Sequence, residues 1–483
     1  MVATPAAVRA GLRGAALVRG LVDLLGPSKV LGARADLVVY EYDGAVDTAT
    51  PDAVVLPEST ADVSALARFC HEHAVPIVPR GAGTGLSGGA IPVEGGVVVS
   101  FARMARIIEI DAANLRAVVQ PGVINLHLST AAAPYGLHFV PDPSSQKACT
   151  LGGNVAENSG GPHTLAYGVT TNHVTGLEIV LSDGEVVRLG GKAIEHEGYD
   201  LVGTFVGSEG TLGLVTEITV RLVPLPEDKR TLMAAFETMD AASETVSAII
   251  AAGIVPGAIE MMDQLATEAV EAAVHAGYPL DAGAILLVEV DGPRDGLDDI
   301  RQRIETICRE NGARSIRIAA TALERERLWA GRKGAFASMG RLSPDYYVQD
   351  GVIPRTRLPE ILRVVKEAGE RHHLRVANVF HAGDGNLHPL ILFDLRDGPE
   401  ELERAKAAGL EILTACVEAG GSLTGEHGIG MEKNCYMPLQ FAAQDLAAMR
   451  RVKEAFDPAG LMNPGKVFPT PSRCREFVLA AAR

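Results

Sequence analysis

The stretch Pro79-Arg80-Gly81-Ala82-Gly83-Thr84-Gly85-Leu86-Ser87-Gly88-Gly89 decides the fold of the first half of this chain. Within it, GTGLSG matches the G-x-G-x-x-G pattern, but a Rossmann site needs a helix that begins inside the glycines. Here the chain continues as AIPVEGGVVVSF, a proline followed by a strand-like run. The glycines therefore predict a loop between strands, whose backbone N–H groups can bind a pyrophosphate. A flexible turn is the alternative interpretation.

Two further glycine clusters follow, LGGNVAENSGG (151–161) and GSEGTLG (207–213). Each is expected next to a strand, and each alone is a weak signal because glycine loops are common. Together with the first cluster they indicate one long ligand that the backbone contacts at several points. An FAD has about that length.

The apolar patterns around these clusters predict alternating strands and helices. Residues 8–26 predict a helix, and 174–189 a hairpin that turns at Asp183-Gly184. The proline- and charge-rich segment 222–230 indicates a domain boundary. After it, strand-like and helix-like runs alternate to about residue 318, which is typical of a ferredoxin-like α+β domain.

The composition limits the classes of partner and compartment. The net charge is -16 and no run of Lys or Arg occurs, which argues against nucleic acid as a partner. No C-x-x-C pair occurs among the six cysteines, so we expect free thiols, as in a reducing cytoplasm, rather than disulfides, an iron–sulfur cluster or a zinc site. We expect no secretory signal and no transmembrane segment, because no apolar run reaches about 18 residues.

Histidines and a glutamate form a second constellation. VANVFHAGDGNLHPLILF (376–393) predicts two strands and a turn, flanked by His381 and His388, and Glu426 and His427 lie between glycines in a later loop. Two imidazoles and one carboxylate suit a divalent metal such as Zn, Mn or Fe. The alternative is ordinary surface or hydrogen-bonded histidines, the interpretation adopted for His71, His73, His372 and His373.

These motifs together carry a resemblance. The first cluster, PDPSS (141–145), TLGGNVAENSGG (150–161) and GSEGTLGLVTE (207–217) resemble, in order and spacing, the flavin domain of the vanillyl-alcohol oxidase/PCMH superfamily over residues 45–226. HAGDGNLHP, GEHGIG and MNPGKVF (462–468) resemble the C-terminal domain of FAD-linked D-2-hydroxyacid dehydrogenases over 228–468. The likeness is strongest to FAD-binding subunits of bacterial glycolate oxidases, with D-lactate dehydrogenases next.

The resemblance implies an α+β protein with a PCMH-type FAD-binding domain followed by a ferredoxin-like α+β substrate (cap) domain. The expected divisions are an N-terminal helical segment at 1–46, the FAD-binding domain at 47–226 and the substrate and metal domain at 227–483. The last 25 residues or so are expected to pack back on the flavin domain. FAD is expected to be non-covalent, because relatives with covalent flavin often carry a His or Cys in the first loop or a nearby segment, whereas the first loop here has Thr84 and no His. The implied FAD contacts are Pro79, Arg80, Gly81, Ala82, Gly83, Thr84, Gly85, Leu86, Ser87, Pro141, Asp142, Ser144, Ser145, Gly152, Gly153, Asn154, Asn158, Ser159, Gly160, Glu209, Gly210, Gly213, Val215 and Asn463.

The resemblance also implies roles in the second half. His381, His388 and Glu426 hold one divalent metal, His427 is the general base, and Arg332 binds the substrate carboxylate. Relatives that act on larger hydroxy diacids have an asparagine two residues after the second metal histidine, where this chain has Leu390. We therefore expect oxidation of a small D-2-hydroxy acid, glycolate or D-lactate, with a 2-hydroxyglutarate-type enzyme as the alternative.

The implied partners are FAD-binding and iron–sulfur companion subunits, which would receive the electrons unless a quinone-type acceptor does. Through them a cytoplasmic protein would lie at the periphery of the inner membrane, and a homodimer is left open. Two alternatives come from other functional classes. A metal-dependent hydrolase gives the glycine clusters no role, and a non-catalytic assembly subunit leaves Glu426 and His427 unexplained.

Overall fold

The computed structural model describes residues 11–193, 198–470 and 474. Its strands are β1 (Val30–Leu31), β2 (Ala53–Val55), β3 (Ile77–Arg80), β4 (Val97–Ser100), β5 (Ile107–Asp111), β6 (Arg116–Val119), β7 (Leu137–His138), β8 (Val174–Val180), β9 (Val186–Gly190), β10 (Leu214–Arg221), β11 (Val223–Pro224), β12 (Asp228–Phe236), β13 (Ala258–Asp263), β14 (Ala284–Gly292), β15 (Ser315–Ile318), β16 (Asp345–Val348), β17 (Gly351–Val352), β18 (Arg375–His381), β19 (Asn386–Leu387) and β20 (Pro389–Phe393).

The α-helices are α1 (Gly14–Leu25), α2 (Arg34–Leu37), α3 (Thr60–Glu72), α4 (Asn125–Ala132), α5 (Leu151–Glu157), α6 (Thr164–Tyr167), α7 (Leu201–Phe205), α8 (Met239–Ala251), α9 (Gln264–Val274), α10 (Leu297–Glu310), α11 (Ala322–Lys333), α12 (Ala335–Ser338), α13 (Leu358–Arg371), α14 (Glu400–Glu418), α15 (Met437–Gln440) and α16 (Ala443–Phe456). The helix predicted at 8–26 is α1, and positions 8–10 lie outside the described residues.

The chain folds into two compact units. Among the described residues, the first unit contains 11–159, 169–224, 427–470 and 474, and the second contains 160–168 and 225–426. The chain thus enters the second unit at Gly160, leaves it after Gly168, enters it again at Leu225 and leaves it after Glu426.

The first unit contains two main sheets. In one, β2, β4 and β3 are parallel neighbours, and Val97, Val98 and Val99 of β4 are fully buried, as expected for a parallel strand covered on both faces. In the other, β5, β6, β10, β8 and β9 follow one another, and the predicted hairpin joins β8 and β9 through a turn at Asp183-Gly184. Both sheets position glycine loops at their strand ends.

The glycine clusters follow the prediction in part. Residues 81–96 are all described and none is helical, so the first cluster is a loop between β3 and β4 and not a Rossmann turn. The second cluster was expected next to a strand, and this is wrong. Residues 151–157 form the helix α5, and in the described part of the chain no strand directly precedes or follows the cluster. Thr150 begins that helix by accepting a hydrogen bond from the N–H of Gly153 at 3.2 Å, and Asn158 ends it in the left-handed conformation.

The second unit contains the ferredoxin-like arrangement that the sequence predicts. The strands β15, β12, β14 and β13 are antiparallel neighbours in that order, and helices α8 and α10 connect strands within it. The sheet continues from β13 to β18, β19 and β17, so the histidine hairpin is an extension of this sheet.

The expectation that all cysteines are free thiols is wrong for one pair. Cys435 and Cys474 form a disulfide, whereas Cys70, Cys149, Cys308 and Cys416 are buried free thiols. The two bonded residues are 39 positions apart, so their proximity arises from the fold and no short spacing could reveal it.

No helix in the described part of the chain is both long enough and apolar enough to cross a membrane.

Candidate active site

The first two glycine clusters lie against each other in the first unit. A Cβ atom on Gly81 would overlap Thr150 Oγ1, so only glycine permits this approach of the loop to the start of α5. At Gly85 a Cβ would meet a single atom within 4 Å, Glu157 Oε1 at 3.8 Å, so the backbone there borders open space. The loop thus approaches α5 at its start through Gly81 and at its end through Gly85.

The third cluster packs on the first two. The N–H of Glu209 donates to Ala156 O at 2.8 Å, and a Cβ on Gly210 would overlap the ring of Pro79. The predicted Asn463 joins them, because its Nδ2 donates to Gly89 O at 2.9 Å and to Glu209 O at 2.7 Å. The three clusters and the C-terminal motif therefore surround one region of the first unit.

The other predicted FAD contacts fall in the first unit with one exception. Asn125 Nδ2 donates to Asn154 Oδ1 at 3.0 Å and to Pro141 O at 3.1 Å, which joins α5 to the PDPSS segment. The residues in the same unit also include Arg80, Ala82, Gly83, Thr84, Leu86, Ser87, Asp142, Ser144, Ser145, Gly152, Gly153, Asn158, Ser159, Gly213 and Val215. Gly160 belongs to the second unit, where a Cβ on it would meet Glu426 Oε2 at 2.8 Å.

A pair of buried acids supports the loop that follows His427. Glu209 accepts hydrogen bonds from the N–H groups of Ile429 and Gly430, both at 2.7 Å. Glu157, which sequence reasoning missed, lies beside Gly428, where a Cβ would overlap Glu157 Oε2. Burial raises the pKa of both carboxyls, and the neighbouring Glu209 adds to the rise for Glu157. The side chain of Glu209 thus anchors the backbone of this loop at Ile429 and Gly430.

In the second unit the structure brings the three predicted metal ligands together. His381 ends β18, His388 lies between β19 and β20, and both are almost fully buried. The Nε2 atoms of His381 and His388 lie 3.1 and 3.4 Å from the same oxygen, Oε1 of Glu426. One ligand atom from each residue lies within 4.8 Å of the others, so the donor set fits a single divalent ion.

Glu260, which the sequence analysis did not identify, binds Nδ1 of His381, the ring nitrogen that does not face Glu426. Its two carboxylate oxygens lie 2.8 and 3.0 Å from His381 Nδ1, the carboxylate–histidine arrangement that orients metal-binding imidazoles. Burial lowers the pKa of His381, but Glu260 and Glu426 outweigh it and raise the pKa well above its usual value. The available signal was a carboxylate flanked by apolar residues on both sides, in the run Ala-Ile-Glu-Met-Met of β13.

Asp350 is a second missed carboxylate, and it fixes the backbone before and at Glu426. It accepts hydrogen bonds from Thr424 Oγ1 at 2.5 Å and from the N–H of Gly425 at 3.0 Å. It also accepts from the N–H of Glu426 at 3.3 Å. The Glu426 side chain is therefore presented by an anchored loop.

The two predicted catalytic residues, Arg332 and His427, belong to different units. Arg332 is in the second unit, 2% exposed, with Nη2 at 2.5 Å from Glu260 Oε2. No described residue accepts a hydrogen bond from its Nε. A buried guanidinium with donors to spare fits an anionic ligand such as a carboxylate. His427 is in the first unit and Glu426 in the second, although they are consecutive.

Comparisons with known proteins agree with these two halves. Residues 225–467 match the family "FAD linked oxidases, C-terminal domain", and residues 51–190 match the family "FAD binding domain". The chain is 50% identical over 450 residues to the glycolate oxidase subunit GlcD of Escherichia coli K12, covering 93% of this chain and 90% of that protein. It is 33% identical over 430 residues to a D-lactate dehydrogenase of Anaerostipes hadrus, covering 87% and 90%.

A solved structure shows the same fold. A crystal structure of p-cresol methylhydroxylase with bound substrate superposes with a TM-score of 0.78 at 19% identity, covering 93% of this chain and 96% of the other. The predicted α+β architecture with a PCMH-type FAD-binding domain is confirmed, and so is the resemblance read from the motifs. This chain therefore belongs to the family of FAD-linked oxidases and is an FAD-dependent oxidoreductase.

Proposed function

We propose that this enzyme oxidises a small D-2-hydroxy acid, of the size of glycolate or D-lactate, to the 2-oxo acid. The observation that carries the proposal is the cluster of His381, His388 and Glu426, linked through Glu260 to the buried Arg332. A 2-hydroxy acid offers a hydroxyl, which suits a metal at this cluster, and a carboxylate, which suits the guanidinium of Arg332. The relatives named glycolate oxidase subunit and D-lactate dehydrogenase support this substrate class.

The reaction removes a proton and a hydride from the CH–OH group. When bound, FAD supplies the hydride acceptor and a divalent cation supplies positive charge that acidifies the hydroxyl. His427 takes the hydroxyl proton as general base. Arg332 binds the substrate carboxylate, and Glu260 holds both Arg332 and His381 in place. We assign the metal to His381, His388 and Glu426.

The electrons must then leave the enzyme. We propose that they pass to an iron–sulfur companion subunit or to a quinone-type acceptor, because a relative is itself named as a subunit. Such an assembly would work in the cytoplasm, next to the membrane through its partners. The metal-dependent hydrolase remains the weaker alternative, because it leaves the FAD-binding half without a role.

The test is anaerobic reduction of the bound flavin by a panel of 2-hydroxy acids. We expect glycolate or D-lactate to bleach the visible flavin absorbance. D-2-hydroxyglutarate should act more slowly, because Leu390 stands where relatives that act on larger hydroxy diacids have an asparagine that contacts the substrate. L-lactate serves as the stereochemical control. Reduction by none of these acids, or fastest reduction by D-2-hydroxyglutarate, would contradict the proposal.

The mode of flavin attachment gives a separate prediction. The protein should purify yellow and release free FAD on denaturation by acid or heat, because Thr84 offers no nucleophile comparable to a histidine or cysteine. Chromatography of the supernatant after precipitation measures this. Flavin that stays with the precipitated protein would show a covalent bond and overturn the prediction.

A further inference from the structure

Residues 160–168, here called the strap, belong to the second unit although the chain on both sides belongs to the first. The strap begins at the end of the second glycine cluster and contains the short helix α6. It packs on the histidine hairpin, since a Cβ on Gly383 would meet Leu165 Cδ2 at 2.5 Å. Neither the proposed flavin contacts nor the proposed metal ligands explain its side chains.

His163 of the strap stacks on Trp329 of α11. The ring centroids are 5.7 Å apart and the planes differ by 29°. Both rings also face one carboxylate: Trp329 Nε1 donates to Glu289 Oε2 at 2.6 Å, and His163 Nε2 lies 3.4 Å from Glu289 Oε1. The stack and the shared carboxylate fix the position of α11 relative to the strap.

Glu289 is a buried carboxylate with several further hydrogen-bond partners. It is 2% exposed, and it accepts hydrogen bonds from Lys229 Nζ at 2.8 Å and Thr231 Oγ1 at 2.7 Å. Burial alone would raise the pKa of Glu289, but His163 and Lys229 lower it by more than burial raises it. The pKa therefore lies below its usual value and the carboxylate stays ionised. A second hydrogen bond, from Tyr167 OH to Asp291 Oδ2 at 2.8 Å, holds the other end of the strap to β14.

The helix that the strap holds also carries Arg332. Trp329 and Arg332 are three residues apart and therefore lie on the same side of α11. Trp329 binds Glu289 of β14, and Arg332 binds Glu260 of β13. These two strands are antiparallel neighbours. Movement of Trp329 would therefore displace the guanidinium.

We propose that His163 is a positioning residue for Arg332: its stacking on Trp329 holds the helix from which Arg332 binds the substrate carboxylate. This inference rests on the proposed function, because it takes Arg332 as the carboxylate-binding group. It adds a role for the strap that the motif resemblance does not supply.

The test uses oxalate, a small dicarboxylate that mimics a 2-hydroxy acid, and the only tryptophan of the chain as a reporter. An aromatic stack contributes roughly 0.5–1.5 kcal/mol, so His163→Ala should weaken oxalate binding by about 2- to 10-fold in calorimetric titration. The same change should shift the emission of Trp329, because it exposes one face of the indole. His163→Phe keeps the stack and should restore most of the affinity, and His71→Ala, at an exposed histidine, should change neither readout.

An unchanged oxalate affinity in His163→Ala overturns the positioning role, and so does a failure of His163→Phe to restore affinity. An unchanged emission spectrum overturns the stacking itself. Failure of the proposed function would look different: the wild-type protein would neither bind oxalate nor be reduced by any 2-hydroxy acid, and the positioning role would fall with it.

Discussion

Replacing His427 by Asn should slow reduction of the bound flavin by about 10²–10⁴-fold, because that is the usual contribution of a general base, the role proposed for His427. Asparagine is polar and of similar size, but its amide cannot accept the hydroxyl proton. The backbone on one side is held by Asp350, which binds the N–H of Glu426, and on the other by Glu209, which binds the N–H groups of Ile429 and Gly430. The loop should therefore keep its course in the variant.

The measurement is stopped-flow bleaching of the flavin with glycolate or D-lactate, with FAD and metal content determined on the same sample. The expected variant retains both and still binds oxalate. A rate close to that of the wild type shows that His427 is not the base. Loss of metal together with the rate shows that it is a ligand, and the division of roles between Glu426 and His427 is then wrong.

Replacing both His381 and His388 by Ala should remove the metal and nearly all turnover while FAD stays bound. A carboxylate alone cannot hold the ion once two of its three protein ligands are gone. The FAD contacts implied by the motifs lie in the first unit apart from Gly160, so flavin content should be unchanged. Elemental analysis and the visible spectrum of the same preparation report the two cofactors separately.

A graded variant sharpens this test. Glu260→Gln leaves all three ligands in place but removes the carboxylate behind His381, a type of change that typically weakens metal affinity about 10- to 100-fold. Titration with a competing chelator should therefore rank wild type above Glu260→Gln and Glu260→Gln above the double variant. Wild-type metal content in the double variant would eliminate the proposed site.

The features that the sequence predicted correctly are encoded locally. The β3–β4 loop follows from glycines between two strand-like runs, and the pairing of His381 with His388 follows from a hairpin whose turn and ligands lie within eight residues. The alternation of strands and helices from β12 to β15 follows from alternating apolar periodicities with a boundary before them. In each case one window of sequence contains the whole signal.

The features that were missed depend on distant contacts. Glu260, Glu289 and Asp350 act through partners that are 40 to 121 positions away, so no local pattern identifies them. The Cys435–Cys474 bond has the same origin. The helix α5 was missed for another reason: its glycines favour a loop, and the cap supplied by Thr150 overrides that preference.

The strap makes the second unit unsuitable as an interchangeable module. A fragment cut at residues 225 and 426 lacks His163 and Tyr167, which leaves one face of Trp329 uncovered and the Asp291 carboxylate without its tyrosine. A chimera made with a relative must therefore transfer 160–168 together with 225–426, using four crossover points instead of two. Recombination that ignores this pairing would combine rings from different parents in contacts such as the stack of His163 on Trp329.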